Sequence, residues 1–158
     1  MNAQTITQYF EADHDRLDQL LKQYDQLKRS DFATAKPFFR EFKFGLQRHI
    51  IWEEEILFPI FEQKSGSAGT GPTFVMRKEH RLIEQLLENV HQKVKQADPE
   101  SDEEEQLLVN ILLQHNLKEE NILYPAIDIL VTPEERPGIF RKMEDIPEER
   151  YRACCHAK

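Results

Sequence analysis

Glycine is scarce in this chain, with 5 in 158 residues, and the shortage argues against a β-sandwich and its many tight turns. Cysteine is scarcer. The 2 present, Cys154 and Cys155, are adjacent and nearly terminal, so they close no useful loop. The chain is therefore not a disulfide framework, and a reducing cytoplasm is the expected compartment. Long apolar runs are missing too. The longest, Ile56 to Phe61, contains Pro59 and falls far short of the roughly 20 residues that cross a bilayer, so no membrane is expected as a partner. The opening MNAQTITQYF lacks the basic-then-apolar order of a secretory signal. Positive charge is in deficit: 21 Lys and Arg against 29 Asp and Glu leave a net charge of −8. A phosphate backbone would be repelled, which removes nucleic acid as an expected partner. There is no Gly-rich phosphate loop, no G-x-S-x-G and no placed Cys–His pair, which sets aside nucleotide chemistry and nucleophilic hydrolysis.

What is present is helical periodicity. Apolar residues recur at helix spacing in four long segments. The first runs from about Thr7 to Arg29 through Phe10, Leu17, Leu20, Leu21, Tyr24 and Leu27. Pro37 suits a first turn and opens the second, which runs toward Gln63 through Phe38, Phe42, Leu46, Ile50 and Leu57. A Ser- and Gly-rich loop ending at Pro72 separates it from the third, Thr73 to about Gln96, with Val75, Ile83, Leu87, Val90 and Val94. Ser101 and Glu104 read as a capping box for the fourth, which carries Leu108, Leu112, Ile122 and Ile127. Thr132 to Glu135 reads as the cap and first turn of a short C-terminal helix. The expected fold is all-α: an up-down-up-down antiparallel four-helix bundle over residues 1–132 and a helical extension over 133–158.

Within that pattern lies a repeat. His14-Asp15-Arg16-Leu17 through Leu21 matches His80-Arg81-Leu82-Ile83 through Leu87 at an offset of 66, and His49 through Pro59 matches His115 through Pro125 at the same offset. The chain reads as two helical hairpins, each carrying H…H-x3-E, about a pseudo-twofold axis. Pro59 and Pro125 each fall ten residues after a histidine, where the helix should kink or end.

Residues four apart share a helix face, so His49 projects with Glu53 and His115 with Glu119, in both cases on the apolar stripe. The interior would then hold four imidazoles and at least two carboxylates, costly to bury unless compensated. A pair of metal ions supplies the compensation, and a nitrogen-and-oxygen donor set suits iron or manganese and is compatible with zinc. The alternative is a bundle in which duplicated His–Glu hydrogen bonds serve structure alone. Asp18 and Glu84, one turn beyond His14 and His80, are each a ligand, an acceptor orienting the histidine, or a solvated charge. Trp52 and Tyr124 read as core, and His91 as surface.

These residues resemble the hemerythrin-like HHE cation-binding family over roughly residues 7 to 130. The resemblance implies that His14 and His49 hold one iron, that His80 and His115 hold the other, and that Glu53 and Glu119 bridge them. It departs from the oxygen carriers of that family, in which a His-x3-His on the third helix replaces the His80-x3-Glu84 found here. With Glu84 among the metal residues, the added negative charge favours the ferric state over reversible oxygen release. The pattern is closer to family members linked to iron sensing, stress response or iron–sulfur cluster repair. Repair proteins carry an extra N-terminal Cys-containing segment, whereas this sequence begins at the first helix, which weighs against a repair role. The expected function is handling or sensing of oxygen, nitric oxide or redox state. A di-iron oxidoreductase and a passive iron-binding or structural bundle are the competing classes.

Overall fold

The computed structural model describes residues 4–67 and 69–152, and these are helical almost throughout. The first helix, α1 (Ile6–Leu27), opens on a reciprocal cap in which the Gln8 amide donates to Thr5 Oγ1 and the Thr5 amide to Gln8 Oε1, both at 3.0 Å. Helix α2 (Phe32–Trp52) starts at Asp31, whose carboxylate accepts from the Thr34 amide at 3.2 Å. It therefore begins one turn before Pro37, which lies inside it. The proline is tolerated because the carbonyl it deprives, that of Ala33, sits on the solvent face where water can serve it.

Helix α2 continues through a single π-turn, Glu53–Leu57, into α3 (Phe58–Ser65), and Gly66 closes α3 in the left-handed conformation at φ +70°. The second half repeats the design. Helices α4 (Gly71–Lys95) and α5 (Asp102–Lys118) are followed by a π-turn at Glu119–Leu123 and by α6 (Tyr124–Leu130). In each π-turn an amide reaches back five residues: Phe58 donates to the Glu53 carbonyl and Tyr124 to that of Glu119. The expected disruption is thus found, in a specific form. Pro59 and Pro125 lack the donor a continuing α-helix needs, and the helix widens by one residue just ahead of each instead of stopping.

Helices α7 (Arg136–Asp145) and α8 (Glu149–Arg152) complete the described chain. Thr132 and Glu135 exchange hydrogen bonds of 2.9 and 3.1 Å across the turn ahead of α7, but the helix itself starts later than expected, at Arg136, with Glu135 as its N-cap and no side-chain cap bond. Ser101 does not cap α5 with its side chain. Its hydroxyl donates to Glu105 and accepts from Lys28 Nζ at 3.2 Å, while Asp102 to Glu105 put acid in the first turn, where the helix dipole favours it. Lys28, wholly buried, also pairs with Asp25, Asp102 and Glu105 at 3.2, 2.6 and 2.6 Å. Burial works against its charge, but the acids outweigh it and hold the ammonium up to about 12. This knot fastens the end of α1 to the start of α5.

Helix α1 packs along α2, and α4 along α5. At Gly45 the first pair is so close that a Cβ would lie 2.6 Å from Leu17 Cδ2. Two apolar cores result. One gathers Leu17, Leu21, Phe39, Phe42, Ile83, Leu87 and Leu108; the other gathers Phe10, Trp52, Leu57, Phe58, Leu123, Tyr124 and Ile127 with Ile139, Met143 and Tyr151 from α7 and α8. Four histidines lie in sequence where their helices pass between the two. Of the residues read as core, Val75 and Ile122 are exposed. The repeat mate of Ile122, Ile56, is 6 % exposed against 62 %, because α7 packs over the first π-turn. His91 is half-buried against Phe39 and bonded to Glu88 at 3.2 Å. Among the described residues, no helix is long and apolar enough to cross a membrane. Cys154 and Cys155 lie outside the described residues.

Candidate metal centre

The helices converge His14 (α1), His49 and Glu53 (α2 and its π-turn), His80 (α4), and His115 and Glu119 (α5 and its π-turn) on one buried point. Both glutamates are 0 % exposed. Glu119 Oε1 lies 3.3 Å from His14 Nε2, and its Oε2 lies 3.1 Å from His115 Nε2 and 3.9 Å from His80 Nε2. Glu53 Oε2 lies 3.3 Å from His49 Nε2, while its Oε1 lies 3.0 Å from His80 Nε2. Each carboxylate therefore extends one oxygen toward the His14/His49 half and one toward the His80/His115 half. Donor atoms of Glu53, His80, His115 and Glu119 lie within 4.8 Å of one another, and so do those of His14, His49 and Glu119.

Every histidine presents Nε2 to this point because a carboxylate holds its other nitrogen. His49 Nδ1 meets Asp13 at 2.9 Å and His115 Nδ1 meets Glu79 at 2.8 Å, each within a hairpin. His14 Nδ1 meets Glu120 and His80 Nδ1 meets Glu54, both at 2.6 Å and both between hairpins. Such partners fix ring orientation and tautomer, leaving Nε2 as the donor to a metal. Reading the sequence missed all four. The signal was there: Asp13 and Glu79 are 66 apart, as are Glu54 and Glu120, and each adjoins a histidine or glutamate of the repeat.

Tyr124 was also missed, having been read as core. Its hydroxyl donates to Glu53 Oε2 and lies 2.8 Å from Glu119 Oε1, 3.1 Å from His49 Nε2 and 3.4 Å from His14 Nε2. The repeat places Phe58 at the matching position, and there the ring stacks on His80 at 5.6 Å. Trp52 is core, its indole N–H donating to Tyr151 at 2.8 Å.

Charge is balanced here by protons. Burial pulls the His49 imidazole down, but Glu53 and Asp13 outweigh it and hold it up at about 10. Burial likewise opposes His80, and Glu53 and Glu54 raise it to about 9. Burial opposes the ionised form of Glu53 as well, yet the imidazoles keep it well below the carboxylate range. Asp13, against the same opposition, is brought to about 2 by His49 and Arg16. Three buried atoms nonetheless lack a well-directed hydrogen bond, although a charged partner lies 3.0 or 3.1 Å from each: Glu53 Oε1, His80 Nε2 and Glu119 Oε2. All three of these orphaned atoms face the His80/His115 half. A cation among them would satisfy all three, so the donor set fits a metal.

Glu84 is not brought to this cluster. It shares the His80 face by spacing, but its carboxylate pairs with Arg81 at 3.3 Å. Asp18 stands at the edge. It lines the cavity of about 10 Å³ among the four histidines and Glu53, and burial raises its carboxyl. That cavity and a groove of about 730 Å³ between α1 and α5 have His14, Asp18, Leu112 and Asn116 in common.

A helical bundle with a buried, duplicated set of four imidazoles and two carboxylates is built like a metal-binding protein. The chain matches the family described as hemerythrin HHE cation binding domain over residues 5–127 and belongs to it. It is also similar to the protein named "Iron-sulfur cluster repair protein YtfE" of Enterobacter sp. (strain 638), with 27 % identity over 135 residues, covering 76 % of this chain and 61 % of the relative. A protein of the same name from Yersinia pseudotuberculosis serotype IB (strain PB1/+) is 43 % identical over 54 residues, 34 % of this chain and 24 % of that one. The chain thus spans less than two thirds of the length of these relatives. No solved structure gives a significant match.

Proposed function

We propose that this protein binds two iron ions in a carboxylate-bridged non-haem centre and uses them to sense or handle oxygen, nitric oxide or redox state. His14 and His49 hold one ion, His80 and His115 the other, and Glu53 and Glu119 bridge. Glu84 is left out of the set because of its pairing with Arg81. The observation that carries the reading is the carboxylate on every Nδ1, which leaves four Nε2 atoms and two divided carboxylates facing one point. Hydrogen bonding for structure alone would leave no reason for the orphaned atoms of the His80/His115 half.

The bound iron pair supplies electron-transfer chemistry toward a small ligand. The chain's own groups would orient it: Asp13, Glu54, Glu79 and Glu120 fix the imidazoles, and the groove lined by Asp18 and Asn116 lies beside the site. The proposal includes an up-down-up-down antiparallel arrangement of the four long helices, a bundle over residues 1–132 with an extension beyond it, and a cytoplasmic setting. Iron–sulfur cluster repair is the second reading, favoured by the name of the relatives; the chain's beginning at α1 does not decide against it. Elemental analysis of protein purified without added metal tests the centre, with two irons per chain expected. Metal-free protein from iron-replete cells would overturn it. Turnover with oxygen, peroxide or nitric oxide then separates an enzyme from a sensor or passive binder.

A further inference from the structure

The two halves of the centre are built alike except at one position. Nine residues beyond His115 stands Tyr124; nine beyond His49 stands Phe58. Both side chains are fully buried. The phenol oxygen lies within 3.4 Å of His14 Nε2, His49 Nε2, Glu119 Oε1 and Glu53 Oε2, which are the donor atoms of one half. An ion held by those four atoms would lie beside the phenol oxygen, and its charge would take up the lone pairs that now accept the phenol proton. In the other half the Phe58 ring offers no oxygen, and the orphaned atoms are found there. The remaining tyrosines of the described chain are engaged elsewhere: Tyr151 bonds Trp52, Tyr24 lies beside Ser101, and Tyr9 packs on Phe140.

We propose that Tyr124 is a direct ligand of the ion held by His14 and His49, bound as phenolate, so that the two ions are chemically unequal. On binding, the phenol O–H bond breaks, an oxygen–iron bond forms and the proton leaves to solvent; no electron is transferred. The ion at His80 and His115 would have one protein donor fewer.

This inference rests on the di-iron reading, and the test separates the two. The ferric protein as purified is assayed for iron and recorded by visible absorption and by resonance Raman, with and without ring-deuterated tyrosine. A phenolate-to-iron charge-transfer band with tyrosine ring modes that shift on deuteration is expected. Tyr124→Phe should abolish the band, and adding Phe58→Tyr to that variant should restore one at the other ion. Iron at two per chain without the band or the ring modes overturns the ligation and leaves the di-iron centre standing. Absence of iron overturns both. Because the Raman signature is read on the wild-type protein, loss of iron or of folding in a variant does not decide the matter.

Discussion

Replacing Glu120 with glutamine changes one charge and almost no volume, at a distance of one imidazole ring from the centre. Glu120 holds His14 Nδ1 at 2.6 Å, a length typical of charge-assisted bonds, and is three-quarters buried. The amide keeps an oxygen that can accept from Nδ1, but it loses the negative charge that raises the basicity of Nε2. Its NH2 group can also turn inward and enforce the wrong tautomer. Loss of such an outer partner costs about 10–100-fold in metal affinity, which is about 1.4–2.7 kcal/mol. Competition against a chromophoric chelator measures it. Asp13→Asn, Glu54→Gln and Glu79→Gln should fall in the same range, since each holds one histidine in the same way. Glu84→Gln is the control: its carboxylate faces Arg81, so the effect should stay near ~0.5 kcal/mol, roughly twofold. If Glu120→Gln binds iron as tightly as Glu84→Gln does, the outer carboxylates do not tune the site and the reasoning fails.

Chelation should lower the melting temperature, because metal at 100-fold above its dissociation constant stabilises a folded site by about 2.7 kcal/mol; identical melting with and without chelator would refute binding linked to folding. In the metal-free protein, the contribution of His49 and His80 is complete below about pH 6.5, the ordinary histidine value, and is lost as pH rises through about 9 and 10. That of Glu53 and Asp13 is present above about pH 4.5 and lost on acidification, for Asp13 through about 2. Metal-free stability should therefore be greatest between about pH 4.5 and 6.5; a melting temperature flat from pH 6.5 to 10 would contradict it. Metal uptake at neutral pH should release the protons that His49 and His80 carry and the phenol proton of Tyr124, about three per chain, detectable by calorimetry in buffers of different ionisation enthalpy. Lys28→Met strands the buried Glu105 and should cost about 3 kcal/mol, the low end for a broken buried pair because Asp25 and Asp102 are exposed. A loss under about 1 kcal/mol in urea unfolding would show that the knot is not structural.

The six central side chains were legible because a face requirement and an internal repeat coincide: His-x3-Glu lies on one face of a helix, and the offset of 66 doubles it. The four outer carboxylates escaped because periodicity describes one helix at a time. Asp13 and Glu79 sit beside His14 and His80 and so point roughly 100° away from them. Each reaches a histidine on a neighbouring helix, which only the packing reveals. Glu84 was misjudged for the opposite reason. Its spacing places it on the right face, but Arg81, one turn earlier, takes its charge. Pro37 misled in a similar way, since the start of α2 is set by Asp31, and an exposed proline in the second turn costs little that water cannot restore.

Tyr124 escaped for a geometric reason that also explains the π-turns. In an unbroken α-helix a residue nine positions on is rotated by roughly 180°, so Tyr124 and Phe58 would face away from His115 and His49. The π-turn admits one extra residue, which takes back about 100° and leaves each ring at about 80° from its histidine, within reach of the centre. The wide turn opens at Glu53 in one half and at Glu119 in the other, and the proline that provokes it follows six residues later. The two prolines thus act on the site without touching it, by turning the next helix so that its first residue meets the donor cluster. Duplication gave both halves this device, and the residue it delivers differs: an apolar ring in one half, and in the other a hydroxyl within hydrogen-bonding distance of both glutamates. The same scaffold thereby gives the two halves of the donor cluster different environments.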